Sequence, residues 1–429
     1  MSRTRRDQPG AEKGAGVHAA SGYGPPQDER ELAAFAEVAS ACFNVSEEDT
    51  RAWFERGDAR NLRLQRQGDA VAAGLLLLPM GQWFGGRSVP MTGIAGVGVP
   101  AERRGQGAAL SLVRAALAEL RADGVALSTL YPATTTLYRR AGFEVAGGRH
   151  AITLRLHELR TRAGDRGLVT RRATPADEPA IAEVAAEVAR RGAGQLDRGP
   201  YIWRRVRQPR GRIVRDVVIE GPDGLEGYAY LSQRDVPRDE GQEYAIVVTD
   251  AAAITPAAGR RLLALLADHA GIARRAVLYG GPAHPLLLQL AERHYAVTLV
   301  DPWMLRIVDV RAALERRGWP AGVSAELQLE LSDDVLPENA GTWTLAVAGG
   351  EARVTRAATA AGASASATAG ARGRRPAVRL DVRGLAPLYS GHLPPRQLQQ
   401  AGLIEGDDAG LDLAAALFAG PAPAMSDMF

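Results

Sequence analysis

The sequence predicts an α/β chain: two successive α/β units and then a smaller α+β unit. Three observations carry this. A length of 429 residues, at roughly 150 per domain, gives about three domains. Strand-like apolar runs alternate with runs of helical spacing through the first two thirds of the chain, the pattern of a layered α/β fold. The order of elements over residues 29–165 is echoed over 166–309, as an internal duplication would leave it, whereas 310–429 opens with strands and closes with helices.

Residues 1–28 mix Arg, Gly and Pro without apolar period and predict a disordered tail. Leu32, Phe35 and Val38 then recur at helical spacing, and Ser46 with Asp49 three residues on marks a second helix start. Asp69–Leu78 and Arg87–Val99 predict strands, and Arg104–Ala122 predicts a helix ending at Gly124. Val125–Tyr131 (strand), Thr134–Ala141 (short helix) and strands to Leu156 complete the first unit.

The second unit predicts a strand at Val169–Arg171, a helix at Pro175–Arg191 and a hairpin over Val214–Leu231 turning at Pro222-Asp223-Gly224. It continues with a strand at Tyr244–Val248, a helix at Pro256–Ala270, a strand at Ala276–Tyr279, a helix at Pro285–Arg293 and strands to Val308. In the third unit, Leu327–Leu331, Thr342–Val347 and Ala377–Val382 alternate as strands. Ala357–Ala371 is a loop of small residues, and helices follow at Leu385–Tyr389, Pro394–Ala401 and Leu411–Phe418. Two prolines bar the final segment, Pro421–Phe429, from extending the last helix.

Composition excludes several classes of function. No stretch approaches the roughly 18 apolar residues of a membrane span; Ala70–Met80 falls well short. Cys42, the single cysteine, cannot form a disulfide within one chain and fits a reducing, cytoplasmic compartment. Lys13 is the only lysine, so 51 of the 52 basic residues are arginine. A GC-rich genome accounts for that bias; an enzyme that modifies primary amines would also gain from carrying few of its own. The arginines are spread along the chain among 49 acids, which argues against a nucleic-acid partner. None of the seven histidines sits at metal-ligand spacing, so no metal is expected. His392, beside Pro394 and Pro395, reads as structural.

The segment Val97–Ala109 carries the chemistry. It runs from strand through turn to helix start, with Arg104, Gly107 and Ala109 at offsets zero, three and five. Small residues admit a ligand close to the backbone, and the unpaired first-turn N–H groups suit a diphosphate. A tight βα turn needing glycine for geometry alone would read the same way. Some thirty residues on comes Leu137-Tyr138-Arg139-Arg140-Ala141-Gly142-Phe143-Glu144.

In this order and at this separation the two segments resemble the GNAT superfamily of N-acetyltransferases. There, R-x-x-G-x-G/A binds the coenzyme A pyrophosphate and [YF]-x-x-x-G-F closes the same cleft. The resemblance implies acetyl-CoA as co-substrate, with Val97 and Val99 on the splayed strand that binds the pantetheine arm. It implies that Arg103, Arg104, Gly105, Gln106, Gly107, Ala108 and Ala109 hold the phosphates. The second unit has no such motif in Val247–Arg261 and reads as a degenerate acetyltransferase-like domain.

With the third unit included, residues 29–429 resemble the Eis (enhanced intracellular survival) family. That family joins an active acetyltransferase domain, a degenerate one and a sterol-carrier-like domain. The matching stretches are Trp83–Pro90, Asp301–Arg306, Leu336–Asn339, Gly341–Trp343, Leu380–Ala386 and Asp427–Phe429. The resemblance implies a homohexamer acting on multi-amine compounds, such as aminoglycosides, or on lysine ε-amines.

It also implies a general acid, Tyr138, and a general base, the terminal carboxylate of Phe429. An alkylamine of pKa about 10 costs about 4 kcal/mol to deprotonate at pH 7, and a tyrosine of similar pKa is close enough to a thiol (about 8.5) to protonate it as it leaves. A carboxylate of pKa about 3.5 must be desolvated, work through water, or act by position and field. Core packing for Tyr138 and a frayed terminus for Phe429 are the plainer alternatives. Trp53, Phe54, Trp83 and Phe84 either wall an amine cleft or fill the core. Glu47, Glu48, Asp49 and Asp427 either attract a cation or, for the first three, complement a helix dipole. Met428 stands where some Eis enzymes carry an acid, which bears on binding of polycationic drugs. A longer acyl donor, or a lipid-binding role for the third unit, remain competing readings.

Overall fold

The computed structural model describes residues 22–160, 166–238, 241–357 and 375–429. The chain forms two compact units: one of residues up to Leu77 with Ile94–Ala116, the other of Leu78–Gly93 with Leu117–Phe429.

The first unit contains strand β1 (Tyr23–Gly24), helices α1 (Glu29–Phe43) and α2 (Glu47–Gly57), and strand β2 (Leu62–Gln67). It also holds the near parts of three elements that run on into the second unit: β3 (Ala70–Phe84), β4 (Arg87–Gly98) and α3 (Ala108–Ala122). Asp28 caps α1 by accepting from the Glu31 N–H (2.8 Å), and Ser46 caps α2 by accepting from the Asp49 N–H (3.1 Å). Phe35 and Phe54 stack at 5.3 Å and 5°, and Leu62, Leu64, Leu75 and Leu76 of β2 and β3 are fully buried. A Cβ on Gly74 would meet the Phe35 ring at 2.4 Å, so that strand position requires glycine.

The expected tail needs correction at its end. Residues 1–21 lie outside the described residues. Residues 22–28 are part of the fold: Tyr23 is buried and β1 pairs antiparallel with β2 at Gln65 and Leu64. Two small apolar–polar steps are too short to register as a period.

The second unit adds β5 (Leu127–Leu130), α4 (Thr135–Arg139), β6 (Glu144–Arg155), β7 (Val169–Arg172), α5 (Glu178–Arg191), β8 (Leu196–Asp197) and α6 (Pro200–Arg207). Then come β9 (Arg215–Gly221), β10 (Gly224–Arg238), β11 (Gly241–Ala253), α7 (Pro256–Ala267), β12 (Arg275–Gly280) and β13 (Tyr295–Ile307). Within this unit the strands run in the order β4-β5-β13-β6-β12-β11-β10-β9-β7. Strand β13, late in the chain, lies between β5 and β6 and is antiparallel to both, and β6 in turn pairs with β12. The two repeats thus exchange strands, so neither completes its sheet alone. The expected helix Pro285–Arg293 is only a 3₁₀ turn, Pro285–Gln289, and α6 was not foreseen.

The C-terminal part holds α8 (Val310–Arg316), β14 (Ala325–Ser332), β15 (Gly341–Ala348), β16 (Glu351–Arg356), β17 (Ala377–Asp381), α9 (Val382–Ser390), α10 (Pro395–Gln400), β18 (Ile404–Gly406) and α11 (Asp408–Leu417). Its sheet runs β16-β15-β14-β17-β18, with β14 and β17 parallel. Leu327, Leu329 and Leu345 alternate onto the face packed by Leu385, Tyr389, Leu411 and Leu417. The small-residue loop falls mostly on 358–374, outside the described residues. No helix among the described residues is long and apolar enough to cross a membrane.

Candidate active site

In the first unit, Val97 lies near the end of β4 and the Val99 carbonyl accepts from Arg104 Nε (3.3 Å) and Cys42 Sγ (3.5 Å). A 3₁₀ turn at Ala101–Arg103 leads into the glycine segment. Gly105 and Gly107 adopt φ +79° and +86°, values that only glycine takes without strain, and a Cβ at either would meet nothing within 4 Å. They are therefore required by dihedral, and the space beside them is open. They also delay the helix: α3 starts at Ala108, four residues later than the sequence predicts. The Gly107 carbonyl accepts from Ser111 (3.0 Å), and Ala108 and Ala109 form the first turn, whose N–H groups have no intrahelical acceptors. Arg103 and Arg104 flank this start, and Gln106 Nε2 folds back onto the Glu102 carbonyl (3.3 Å). The residues Arg103–Ala109 thus form one contiguous turn suited to an anionic diphosphate.

In the second unit, β4 and β5 pair in parallel through Met91–Leu127, Thr92–Ser128 and Gly93–Thr129. The ladder goes no further among the described residues. At its last rung sits Phe429. A Cβ on Gly93 would meet the Phe429 ring at 2.7 Å, and the ring packs edge-on to Tyr131 at 5.6 Å.

The C-terminal tail is not frayed. The Ala424 N–H donates to Ala193 O (2.9 Å), Arg149 Nε to Ser426 O (3.0 Å), and Tyr131 Oη to Asp427 O (2.6 Å). The Met425 side chain is fully buried. The Phe429 carboxylate has no ion-pair or hydrogen-bond partner among the described residues.

Tyr138 lies on α4, 6 % exposed, its ring edge-on to Phe143 at 6.0 Å. Its hydroxyl makes no hydrogen bond among the described residues, and burial pushes its pKa up to about 12. The sequence-based match between a tyrosine of pKa about 10 and a thiol therefore needs revision. Transfer of its proton to a thiolate of pKa about 8.5 is about 5 kcal/mol uphill at this burial. The neighbouring Arg139 forms a bidentate pair with Glu144, which also binds Arg383 of α9 (2.6 Å).

The four aromatics do not form one wall. Phe54 is core, stacked on Phe35, and Phe84 is fully buried 5.0 Å from Tyr389. Neither can bind substrate. Adjacent residues on α2 are only about 100° apart, so the Trp53 and Phe54 rings meet at 5.3 Å, and β3 is buried on both faces at its end, so Trp83 is buried along with Phe84. Trp53 lies against Gly96, where a Cβ would meet it at 2.0 Å. Trp83 borders a cavity of about 400 Å³ in the second unit, and its Nε1 is buried without a hydrogen-bond partner among the described residues.

Asp427 borders the same cavity but is not free to receive a cation. Its carboxylate accepts from Arg198 Nε (2.9 Å), and Arg198 is also held by Asp250 at 2.6 and 2.8 Å. Burial, with Asp250 beside it, raises the Asp427 carboxyl above its ordinary value against the pull of Arg198. Glu47–Asp49 form the first turn of α2, with Asp49 bonded to its cap Ser46 (2.6 Å). Arg198, Asp250, Tyr228 and Tyr131 escape sequence reasoning: each acts across 20 to nearly 300 residues of chain, as the Tyr131–Asp427 bond shows (296 residues apart).

Residues 26–146 and 194–307 each match an acetyltransferase (GNAT) domain family, and residues 310–426 match the sterol carrier protein domain family. A crystal structure of a GCN5-related N-acetyltransferase from Anabaena variabilis is 32 % identical, with a TM-score of 0.86 over 95 % of this chain and 99 % of that one. An uncharacterised N-acetyltransferase of Streptomyces avermitilis is 30 % identical over 280 residues, 61 % of this chain and 66 % of the relative. Eis1 from Mycobacterium abscessus shares the fold at 23 % identity, with a TM-score of 0.71 over 94 % of this chain and 98 % of that one. The chain belongs to the GCN5-related N-acetyltransferases. Within that class it is a tandem-domain acyltransferase with a sterol-carrier-like third domain.

Proposed function

We propose that the chain is an acetyl-CoA-dependent N-acetyltransferase of primary amines, of the Eis type, acting on multi-amine compounds or lysine ε-amines. One observation carries the reading: the terminal carboxylate, without a partner among the described residues, belongs to a tail held by side chains and backbone far from it in sequence. Chain ends are ordinarily poorly ordered unless tied down, and this one is tied at Ala424, Ser426 and Asp427.

Acetyl-CoA would supply a thioester activated for attack by an amine. The open glycine turn Arg103–Ala109 fits its diphosphate, and Val97 and Val99 present strand backbone for the pantetheine amides. The Phe429 carboxylate draws the amine proton, either directly or through water, in a deprotonation that costs about 4 kcal/mol at pH 7, and its field stabilises the positive charge that develops on the nitrogen during attack. Tyr138, kept neutral by burial, donates a hydrogen bond to the departing sulfur. Its elevated pKa makes this stabilisation of developing charge more than early proton transfer. Trp53 and Trp83 are the aromatic candidates for acceptor contact. The reading carries a homohexamer and a cytoplasmic location with it.

The test is mass spectrometry of a multi-amine aminoglycoside incubated with acetyl-CoA and either tag-free protein or protein extended beyond Phe429. Acetyl additions by the native protein are expected, with kcat lower by about 10³-fold in the extended protein or on deletion of Phe429. Full turnover by either altered protein removes the terminal carboxylate from the mechanism. Parallel assays with propionyl- and myristoyl-CoA separate this reading from a longer acyl donor.

A further inference from the structure

The second repeat keeps a splayed pair of strands of its own. Strands β11 and β12 pair in parallel only through Ala245–Arg275, Ile246–Ala276 and Val247–Val277. Beyond that rung β11 runs on to Ala253 and β12 to Gly280 with no pairing between them among the described residues. Asp250 on β11 and Tyr279 on β12 border the 400 Å³ cavity there, and so do Ser426 and Asp427 of the C-terminal tail. Upstream, Ala424 packs so closely on Gly281 that a Cβ there would sit 2.9 Å from it. The wedge holds the chain's own tail.

Arg198 is the side chain that closes it. Its guanidinium forms two bonds to Asp250, at 2.6 and 2.8 Å, and a third to Asp427 at 2.9 Å, and Tyr228 Oη donates to Asp250 (2.6 Å). Trp203 lies under the guanidinium at 4.9 Å. The side chains of Arg198, Asp250 and Asp427 are 8 %, 4 % and 3 % exposed. Such a pair is a poor source of net stability, because desolvation offsets most of the attraction. What it fixes well is geometry, and Asp427 stands two residues before the terminal carboxylate.

We propose that Arg198 is a positioning residue for catalysis: it pins Asp427 inside the degenerate repeat's wedge and thereby sets where the Phe429 carboxylate stands. The inference rests on the reading of Phe429 as the base. Misplacing a reacting group by about 1 Å costs on the order of 10²-fold in rate, and that is the loss expected in kcat for Arg198→Met, with KM for acetyl-CoA within about twofold of the native value.

Activity is not the only readout. Carboxypeptidase A removes C-terminal aromatic residues only from an accessible chain end. Phe429 is expected to resist release in the native protein and to be released at least tenfold faster in Arg198→Met, with a cooperative melt retained. Asp427→Asn, which keeps size and loses charge, should give the same two effects more weakly and serves if Arg198→Met does not fold. Arg198→Lys should restore part of the protection. If Arg198→Met or Asp427→Asn folds and Phe429 stays protected with kcat within twofold, the proposal is wrong. If protection is lost but kcat is unchanged, the clasp exists and Phe429 is not the base, which overturns the catalytic role of both residues. Should deletion of Phe429 alone leave kcat intact, the proposed mechanism fails independently of Arg198.

Discussion

The two repeats can be compared at the point where each one's parallel strands part. In both, three residue pairs hold the ladder before it ends, at Gly93–Thr129 in one and Val247–Val277 in the other. Past that point the repeats diverge. After β4 comes a glycine turn with two positive-φ residues and open space beside them, and α3 begins directly after the second of them. After β11 the helix α7 is closed by its own residues. Thr255 accepts from the Ala258 N–H (3.1 Å), Pro256 occupies the first position, and the Glu226 carboxylate accepts from the Thr255 hydroxyl. A capped helix start with a carboxylate beside it repels a phosphate that an open one attracts. After β5 stands Tyr138; after β12 stands the apolar turn Pro285–Gln289. The parallel-strand framework is common to the two repeats and the helix start that follows it is not, because the sheet is held by buried apolar area while the turn depends on a few residues.

The contrast can be broken at several places. Tyr138→Phe keeps the ring and removes the hydroxyl, so kcat should fall by about 10²- to 10³-fold with little change in KM for acetyl-CoA. The pH profile carries a second check. A pKa raised to about 12 means that the hydroxyl stays protonated through pH 10, so native kcat should hold steady between pH 9 and 10; a decline there that Tyr138→Phe abolishes would show that the hydroxyl titrates lower than its burial implies.

Gly107→Val forces a β-branched residue towards a left-handed conformation at a cost of about 1–2 kcal/mol. KM for acetyl-CoA should rise about tenfold with kcat nearly unchanged, and unaltered steady-state kinetics would place the phosphates elsewhere. Thr255→Ala, at the matching place in the second repeat, should lower stability by about 1 kcal/mol in denaturant melts and leave both kinetic constants alone. A kinetic effect there would mean that the second repeat is not degenerate.

Much of the candidate site is legible in the sequence because it is local. The glycine turn, the helix it opens and Tyr138 all fall within short windows whose residue types are tied to backbone conformation. The strand alternation of Leu327–Leu331 was legible for the same reason. Phe54 and Phe84 are core residues and not cleft residues, because an aromatic pair reads alike in either place: Phe54 stacks on Phe35, and the end of β3 is buried on both faces. Tyr23–Gly24 was missed because a two-residue strand has no period, and the start of α3 was set too early because positive φ at Gly105 and Gly107 holds the chain out of the helix.

The sequence by itself determined the repeat order, the open turn in one repeat and its loss in the other, and the aromatic residue at the chain's end. Only the tertiary structure decided that β13 would sit between β5 and β6, and that Asp427 would answer to Arg198 instead of to a substrate. It also decided that the tail would lodge in the second repeat's wedge. Local dihedral and hydrogen-bond preferences act over a few residues and leave their mark in composition. An ion pair between residues 198 and 427, or a strand exchanged between repeats, is selected by the burial of the whole sheet, and no short window of sequence encodes it.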